Sequence, residues 1–311
     1  MAGGSTPLFS ICMPTYEDAA AVRRAIAGLQ RQDVQDWECV IQDDSSSAGI
    51  ARVVAALHDP RIRYARNVPA LGAPRNWNKV LSEARGNYVS LLHQDDFYAT
   101  PNVLGSVQEA LESRHALIAV CARSVWEKHA PPGVYRRNGR AVRAFLRQFP
   151  QRSLVVNRLG HPSVLFVQAR LATIPFDEAL CYFLDTDWYA RLWQEAAGAV
   201  AYLPDAVVGL ERGRAGQLSG QCLRQLAATA DELDRVLEKW QASPCQAALA
   251  QARFFAAHLR QLPHGGLEAL QKRLRGFSFG QDIVFGSALF CLMGHMLYRG
   301  LRRKLGFAAW G

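Results

Sequence analysis

Over the first 125 residues, short β-rich apolar runs alternate with stretches whose apolar residues recur at helical spacing. That alternation points to an α/β domain built on a mainly parallel open sheet flanked by helices. Strands are predicted at Leu8–Met13, Trp37–Gln42, Ile62–Ala65, Tyr88–Leu92 and Ala116–Cys121. Helices are predicted over Ala19–Arg31, Gly49–Leu57 and Pro74–Ala84, the last opening on a proline suited to a first turn, and Pro101 marks another helix start. Sheets of this kind bind ligands beyond the carboxyl ends of their strands, so the residues at those exits carry the functional information.

Three exits are polar. The first strand runs into Pro14-Thr15-Tyr16-Glu17, which is either a ligand-facing loop or a plain strand-to-helix turn. The second ends in Asp43-Asp44-Ser45-Ser46-Ser47. One of these residues suits a helix N-cap. Two adjacent carboxylates exceed that need, and carboxylates accept hydrogen bonds from nucleotide ring N–H groups and ribose hydroxyls. The fourth predicted strand ends in His93-Gln94-Asp95-Asp96. Paired carboxylates repel unless a cation or a donor-rich ligand lies between them, and hard divalent cations prefer carboxylate oxygen. Mg2+ or Mn2+ bridged to phosphates is the economical reading, with His93 a packed histidine rather than a ligand.

Beyond residue 125 the pattern changes. Pro131-Pro132-Gly133 reads as a turn, Arg and Asn crowd 136–143, and the stretch 126–160 reads as a mobile or partner-facing segment. His161-Pro162-Ser163 is either the border of an acceptor pocket or a turn before a strand at Ser163–Val167. Asp185–Ala197 is predicted as an amphipathic helix, with closing strands at Ala199–Leu203 and Val207–Leu210. From about 219 the chain is helical in pattern and rich in Ala, Leu, Gln and Arg, which divides it into a first domain over 1–218 and a helical region over 219–311.

The formal charge of +9 is concentrated late: residues 1–211 hold 22 basic against 21 acidic side chains, and residues 212–311 hold 14 against 6. Ile283–Tyr298 is a run of 16 residues without a formal charge, followed by Arg299, Arg302, Arg303 and Lys304. A helix needs roughly 20 apolar residues to span a bilayer. Residues 283–304 therefore suit either an anionic inner-membrane surface or burial against the first domain or in a homodimer. Nucleic acid is not an expected partner. The seven cysteines, at 12, 39, 121, 181, 222, 245 and 291, are odd in number and at least 23 residues apart. They read as reduced core residues, with no disulfide framework and no zinc site. With no signal-like start, a cytoplasmic chain, peripheral to the inner face of the membrane if the tail binds there, is expected.

Taken in order, these motifs resemble the inverting glycosyltransferases of family 2, which have the A-type nucleotide-sugar fold. The resemblance covers about residues 7–220. Ser10-Ile11-Cys12-Met13-Pro14-Thr15-Tyr16-Glu17 looks like the family's opening strand and Pro-x-Tyr-Asn turn, with Glu17 where Asn is commoner. Asp43-Asp44-Ser45-Ser46 is similar to its Asp-Asp-x-Ser motif. Gly72-Ala73-Pro74-Arg75-Asn76-Trp77-Asn78 and Ala84-Arg85-Gly86-Asn87-Tyr88 are similar to the helix and lead-in that follow, and His93-Gln94-Asp95-Asp96 takes the place of Asp-x-Asp. Downstream, Pro175-Phe176-Asp177-Glu178 and Asp185-Thr186-Asp187-Trp188-Tyr189-Ala190-Arg191 resemble the family's Phe-Asp-Glu and its acidic motif, and Arg212-Gly213-Arg214 its late loop, with Arg214 in place of the commoner His.

The resemblance implies a metal-dependent transfer of a sugar from a nucleoside-diphosphate sugar, UDP being the first guess, to a saccharide or glycolipid hydroxyl in polysaccharide or glycoconjugate assembly. Donor contacts would come from Pro14, Thr15, Tyr16, Glu17, Asp43, Asp44, Arg75, Asn76 and Asp95, and metal contacts from Asp95 and Asp96. Leu184 stands where the family has an acid, so both Asp185 and Asp187 are candidates for the base. Asp185 is preferred because Arg191, six residues on, matches the family's Arg. A non-catalytic binding protein of the same fold is the alternative. A nucleotidyltransferase is disfavoured by the missing Gly-rich basic loop after Met13, and neither GxGxxG nor GxxxxGK[ST] follows the first strand.

Overall fold

The computed structural model describes residues 6–127, 130–133, 146, 157, 159–212, 222 and 225–258. Its contacts divide the chain into two compact units. The first comprises Met1–Arg147, Leu159–Ala179 and Asp187–Gln217; the second comprises Gln148–Arg158, Leu180–Thr186 and Leu218–Gly311.

The first unit is a nine-stranded sheet with helices. In chain order its elements are β1 (Phe9–Thr15), α1 (Ala19–Gln30), β2 (Trp37–Asp43), α2 (Gly49–Leu57), β3 (Ile62–Arg66), α3 (Ala73–Ser82), β4 (Tyr88–Leu91), β5 (Asp96–Tyr98), α4 (Val103–Ser113), β6 (Ile118–Glu127), β7 (Ala130–Gly133), β8 (Leu165–Gln168), α5 (Ala169–Ala172), α6 (Leu184–Ala196) and β9 (Val200–Arg212). The division between units falls inside α6, after Thr186. The strand order is β3-β2-β1-β4-β8-β6-β9-β5, with β7 paired to β6. From β3 to β4 all pairs are parallel. Beyond β4 the sheet is mixed: β8 is antiparallel to both neighbours, β6 and β9 run parallel, and β5 closes the edge antiparallel to β9.

β1 and β2 are buried along their whole length, as expected for inner strands covered on both faces. Pro14 is tolerated there for a definite reason. Leu92 donates to Cys12 O, so the backbone groups of Pro14, two residues on, face β4, whose pairing with β1 has already stopped at Cys12. At the opposite end of β1, Ser10 Oγ donates to Glu38 Oε1 at 2.6 Å and accepts from Gly86 N at 2.7 Å. A Cβ on Gly86 would stand 2.6 Å from Ser10 N, so only glycine lets the lead-in to β4 pass this close.

Two departures from the sequence pattern have local causes. The predicted break between Leu203 and Val207 is an irregularity inside one strand: β9 continues through Pro204, and its register against β6 shifts between Cys121 and Ala122, so Leu203-Pro204-Asp205 reads as a stop only from composition. Asp96–Tyr98, read from sequence solely as a ligand motif, is also the edge strand β5, too short to show a period.

In the second unit, α7 (Leu226–Lys239) and α8 (Pro244–His258) realise the helical pattern predicted after 219. Cys181 and Cys222 form a disulfide there, which corrects the expectation that all the cysteines are reduced. Their 41-residue separation gave no sequence cue, because the two meet only through tertiary structure. Cys12, Cys39 and Cys121 are buried free thiols, and burial pushes Cys39 up to about 12. No helix among the described residues is long and apolar enough to cross a membrane. The 283–304 segment, the late loop around Arg214 and most of 126–160 lie outside the described residues.

Candidate active site

The polar strand exits meet at the carboxyl end of the parallel half-sheet, tied by side chains that hold one another's backbone. Gln94 grips the loop after β1 by both sides of one residue: its Oε1 accepts from Tyr16 N at 2.7 Å and its Nε2 donates to Tyr16 O at 2.9 Å. The Tyr16 ring is left 58% exposed. Glu17 has φ +54°, a left-handed conformation that Asn adopts more readily than Glu. Its hydrogen bonds offset that cost. Glu17 N donates to Ser45 Oγ, and its carboxylate accepts from the backbone and hydroxyl of both Ser46 and Ser47 at 2.6–3.3 Å. Those bonds, the Ser46 hydroxyl first, lower the Glu17 carboxyl to about 2.

Asp43 and Asp44 are used differently although adjacent. Asp43 Oδ1 accepts from Thr15 Oγ1, Ser45 N and Ser45 Oγ, and Oδ2 accepts from Tyr64 OH at 2.7 Å. Three of these four bonds converge on Oδ1, and they tie the carboxylate to Thr15, Ser45 and Tyr64. Asp43 is therefore a joint between β1, β2 and β3. Asp44 Oδ1 accepts from Asn67 Nδ2 and Leu71 N, and Oδ2 accepts from Gly72 N alone. Asn76 is likewise internal: its amide donates to Gln42 O and accepts from Asn67.

The third exit is built for something else. His93-Gln94-Asp95-Asp96 forms a turn closed by Asp96 N donating to His93 O at 3.0 Å, which brings residues i and i+3 to one side. Asp96 is fully buried, with its Oδ2 accepting from Ser163 Oγ at 2.6 Å; Ser163 Oγ in turn accepts from His93 N. His161 Nδ1 lies 3.5 Å and His93 Nδ1 4.0 Å from the same Oδ2. The donor atoms of His93, Asp96 and His161 all fall within 4.8 Å of one another. Asp96 Oδ1 is buried without a hydrogen-bond partner. An unmet buried acceptor costs about 1–3 kcal/mol, and a carboxylate oxygen facing two imidazoles is a donor set that fits a divalent cation. Burial, against a smaller opposing pull from Asp96, lowers His93 to about 4. Its ring packs 4.5 Å from that of Trp77. Asp95, expected beside Asp96 in the metal set, is not in this group; its carbonyl accepts from Arg24.

Sequence reasoning reached Asp96 but not its companions. His93 was a readable signal, three residues ahead of Asp96 across a turn. His161 and Ser163 lie beyond β6 and β7 in sequence, just ahead of β8, and reach Asp96 only through the fold.

A family model described as glycosyl transferase family 2 matches residues 10–169, which contain every residue of these three exits. The chain belongs to glycosyl transferase family 2. Among its curated relatives is the GalNAc(5)-diNAcBac-PP-undecaprenol beta-1,3-glucosyltransferase of Campylobacter jejuni, 31% identical over 118 residues, covering 37% of this chain and 38% of the relative. The chain spans less than two thirds of the length of the curated relatives it matches. Two solved structures share the fold. TarS of S. aureus in complex with UDP has a TM-score of 0.56 at 15% identity, covering 81% of this chain and 72% of that one. The mannosyltransferase PcManGT of Pyrobaculum calidifontis in complex with GDP-Man and Mn2+ has a TM-score of 0.56 at 17% identity, covering 94% and 88%. At these identities the likeness is one of fold.

Within this family 2 chain, the remaining motif residues are placed as follows. Arg75, on the exposed side of α3, donates to Glu178 Oε2 at 3.1 Å, and Asn78 donates to Glu178 Oε1 at 3.1 Å. The Phe-Asp-Glu motif thus meets the Arg75 helix rather than Asp43 or Asp44. Asp187 is fully buried and ion-paired to Arg191 four residues on. Asp185 is half-buried in the first turn of α6 and belongs to the second unit.

Proposed function

We propose that this family 2 chain transfers a sugar from a nucleoside-diphosphate sugar to a hydroxyl acceptor, with inversion, using a divalent cation held by His93, Asp96 and His161. The observation that carries the reading is the buried Asp96 carboxylate, whose Oδ2 lies 3.5 and 4.0 Å from two imidazoles and whose Oδ1 has no hydrogen-bond partner, at the strand exit where open α/β sheets receive ligands. Histidine in the set favours Mn2+ over Mg2+, since imidazole suits borderline metals and Mg2+ prefers oxygen. When bound, the cation supplies charge for the diphosphate leaving group.

The chain's own residues do the rest. Ser163 holds the Asp96 carboxylate through Oδ2 and leaves Oδ1 without a protein donor. Gln94, Glu17 and Asp43 hold the loops after β1 and β2 in place before the donor arrives, leaving the Tyr16 ring and the remaining acceptor position of Asp44 Oδ2 to meet the nucleotide. Asp185 takes the proton of the acceptor hydroxyl as that oxygen bonds to the anomeric carbon and the bond to the nucleoside diphosphate breaks. Asp187, locked to Arg191, supports this choice between the two acids. UDP is the first nucleotide to try, because a neighbour of this fold carries it; the GDP-Man complex of the other makes GDP the second. The acceptor class, a growing saccharide or glycolipid, follows the acceptor named for the Campylobacter relative.

The test is a panel of UDP-glucose, UDP-GlcNAc and GDP-mannose, each with Mn2+ and with a chelator, read as release of the nucleoside diphosphate. Metal-dependent release from one of them is expected. Asp185→Asn should lower that turnover about 10²–10⁴-fold with nucleotide affinity within twofold of the parent. Full activity of the variant assigns the base elsewhere.

A further inference from the structure

The segment that carries Asp185 is held by a carboxylate for which the transfer reaction itself has no use. Glu232 lies on α7, on the face that buries Thr229, Ala230, Leu233, Val236 and Leu237. It is only 4% exposed. Among the described residues it has no ion pair. Its Oε1 accepts from Tyr182 N at 2.8 Å and from Phe183 N at 2.6 Å. Burying a carboxylate without a cation is costly, and only strong hydrogen bonds to the charged group offset it.

Those two amides stand immediately before the first turn of α6, which begins at Leu184. A helix start has unpartnered N–H groups and a partial positive charge, so a fixed anion there both caps and orients it. Two further holds act on the same stretch. Cys181 is bonded to Cys222, and the Phe254 ring packs against Tyr182 at 6.2 Å and Phe183 at 5.8 Å. Every one of these residues belongs to the second unit, together with Asp185.

We infer that Glu232 is a positioning residue for Asp185: by fixing the Tyr182 and Phe183 amides it sets the direction in which the first turn of α6 presents the carboxylate. The inference rests on the reading of Asp185 as the base. Because position 185 is two residues from the capped amide along a rigid backbone, loss of the cap turns or frays that first turn before it unfolds anything else. Both amides donate to one oxygen, Oε1, and glutamine keeps an acceptor oxygen at that place while losing only the charge.

The experiment uses the full chain with Glu232→Ala, Glu232→Gln and Asp185→Asn, and two readouts. The first is kcat and donor KM with the panel sugar nucleotide that turns over; the second is amide exchange of the 180–186 peptide, which needs no donor. For Glu232→Ala, kcat falls about 10–100-fold with donor KM within twofold. Exchange at 180–186 rises at least tenfold. Glu232→Gln restores both readouts to within threefold. Parent kcat or parent exchange in a folded Glu232→Ala overturns the inference, as does a Glu232→Gln variant as impaired as the alanine. If Glu232→Ala does not fold, Glu232→Asp, which shortens the reach by one methylene, takes its place with the same criteria. Full activity in Asp185→Asn defeats the base assignment instead, whatever the Glu232 variants do, so the two failures are distinguishable.

Discussion

Two strand exits in this molecule carry the same dipeptide, Asp-Asp, and the fold uses them in opposite ways. After β2, Asp43 has four internal hydrogen bonds and Asp44 three, and every donor belongs to the chain. After β4, Asp96 is just as buried, yet only Oδ2 is engaged, by Ser163 and with two imidazoles at 3.5 and 4.0 Å, and Oδ1 has no hydrogen-bond partner. Sequence identity of the pair conceals the difference. What separates Asp43 from Asp96 is the number of protein donors that reach each carboxylate, and that number comes from neighbours distant in sequence: Thr15 and Tyr64 for Asp43, Ser163 for Asp96.

The contrast can be broken by substitution. Asp96→Ala should have the largest effect, weakening Mn2+ binding more than about 100-fold and abolishing measurable transfer while leaving the sheet folded. Mn2+ titration with the metal's paramagnetic signal as readout checks this; parent-like affinity would remove Asp96 from the set. Asp43→Ala should do the reverse. It strands the donors of Thr15, Ser45 and Tyr64 and should cost about 3 kcal/mol in urea unfolding, with the Mn2+ affinity of the folded fraction unchanged. A variant of parent stability would mean that the four bonds are not what holds the three strands together.

The smallest effect concerns Glu17. Its carboxyl is lowered to about 2 in the folded chain from an ordinary value near 4.5. A depressed pKa stabilises the folded state above the unfolded value, and the contribution is lost as pH falls from about 4.5 towards 2. Amide exchange of Ser46 and Ser47 should therefore accelerate across that window in the parent and be pH-independent, apart from intrinsic chemistry, in Glu17→Gln. Identical profiles would show that the serine bonds do not order the loop.

Much of the first unit is legible in the sequence. The alternation of periods gave the parallel half-sheet, because inner parallel strands and their covering helices each impose a period on the sequence. The polar exits marked the ligand end for the same topological reason. Illegible features were those made by contact alone. The three-residue β5 has no room for a period, Pro204 disguised one strand as two, and Cys181 with Cys222 pair across 41 residues. In sequence His161 reads equally well as a turn residue, because its approach to within 3.5 Å of Asp96 is made by the fold alone. Glu232 shows a middle case: an acid on an otherwise apolar helical face is visible in sequence, but nothing there says which amides it meets.

The central claim, a cation site made by Asp96 with two histidines, is tested most directly by diffraction from crystals grown with MnCl2 and UDP, with data collected on both sides of the manganese absorption edge. The account predicts an anomalous peak within bonding distance of Asp96 Oδ1 and of the His161 and His93 imidazoles, and its loss in Asp96→Ala crystals. A well-ordered UDP with its manganese peak on other residues, or with none at Asp96, would contradict it.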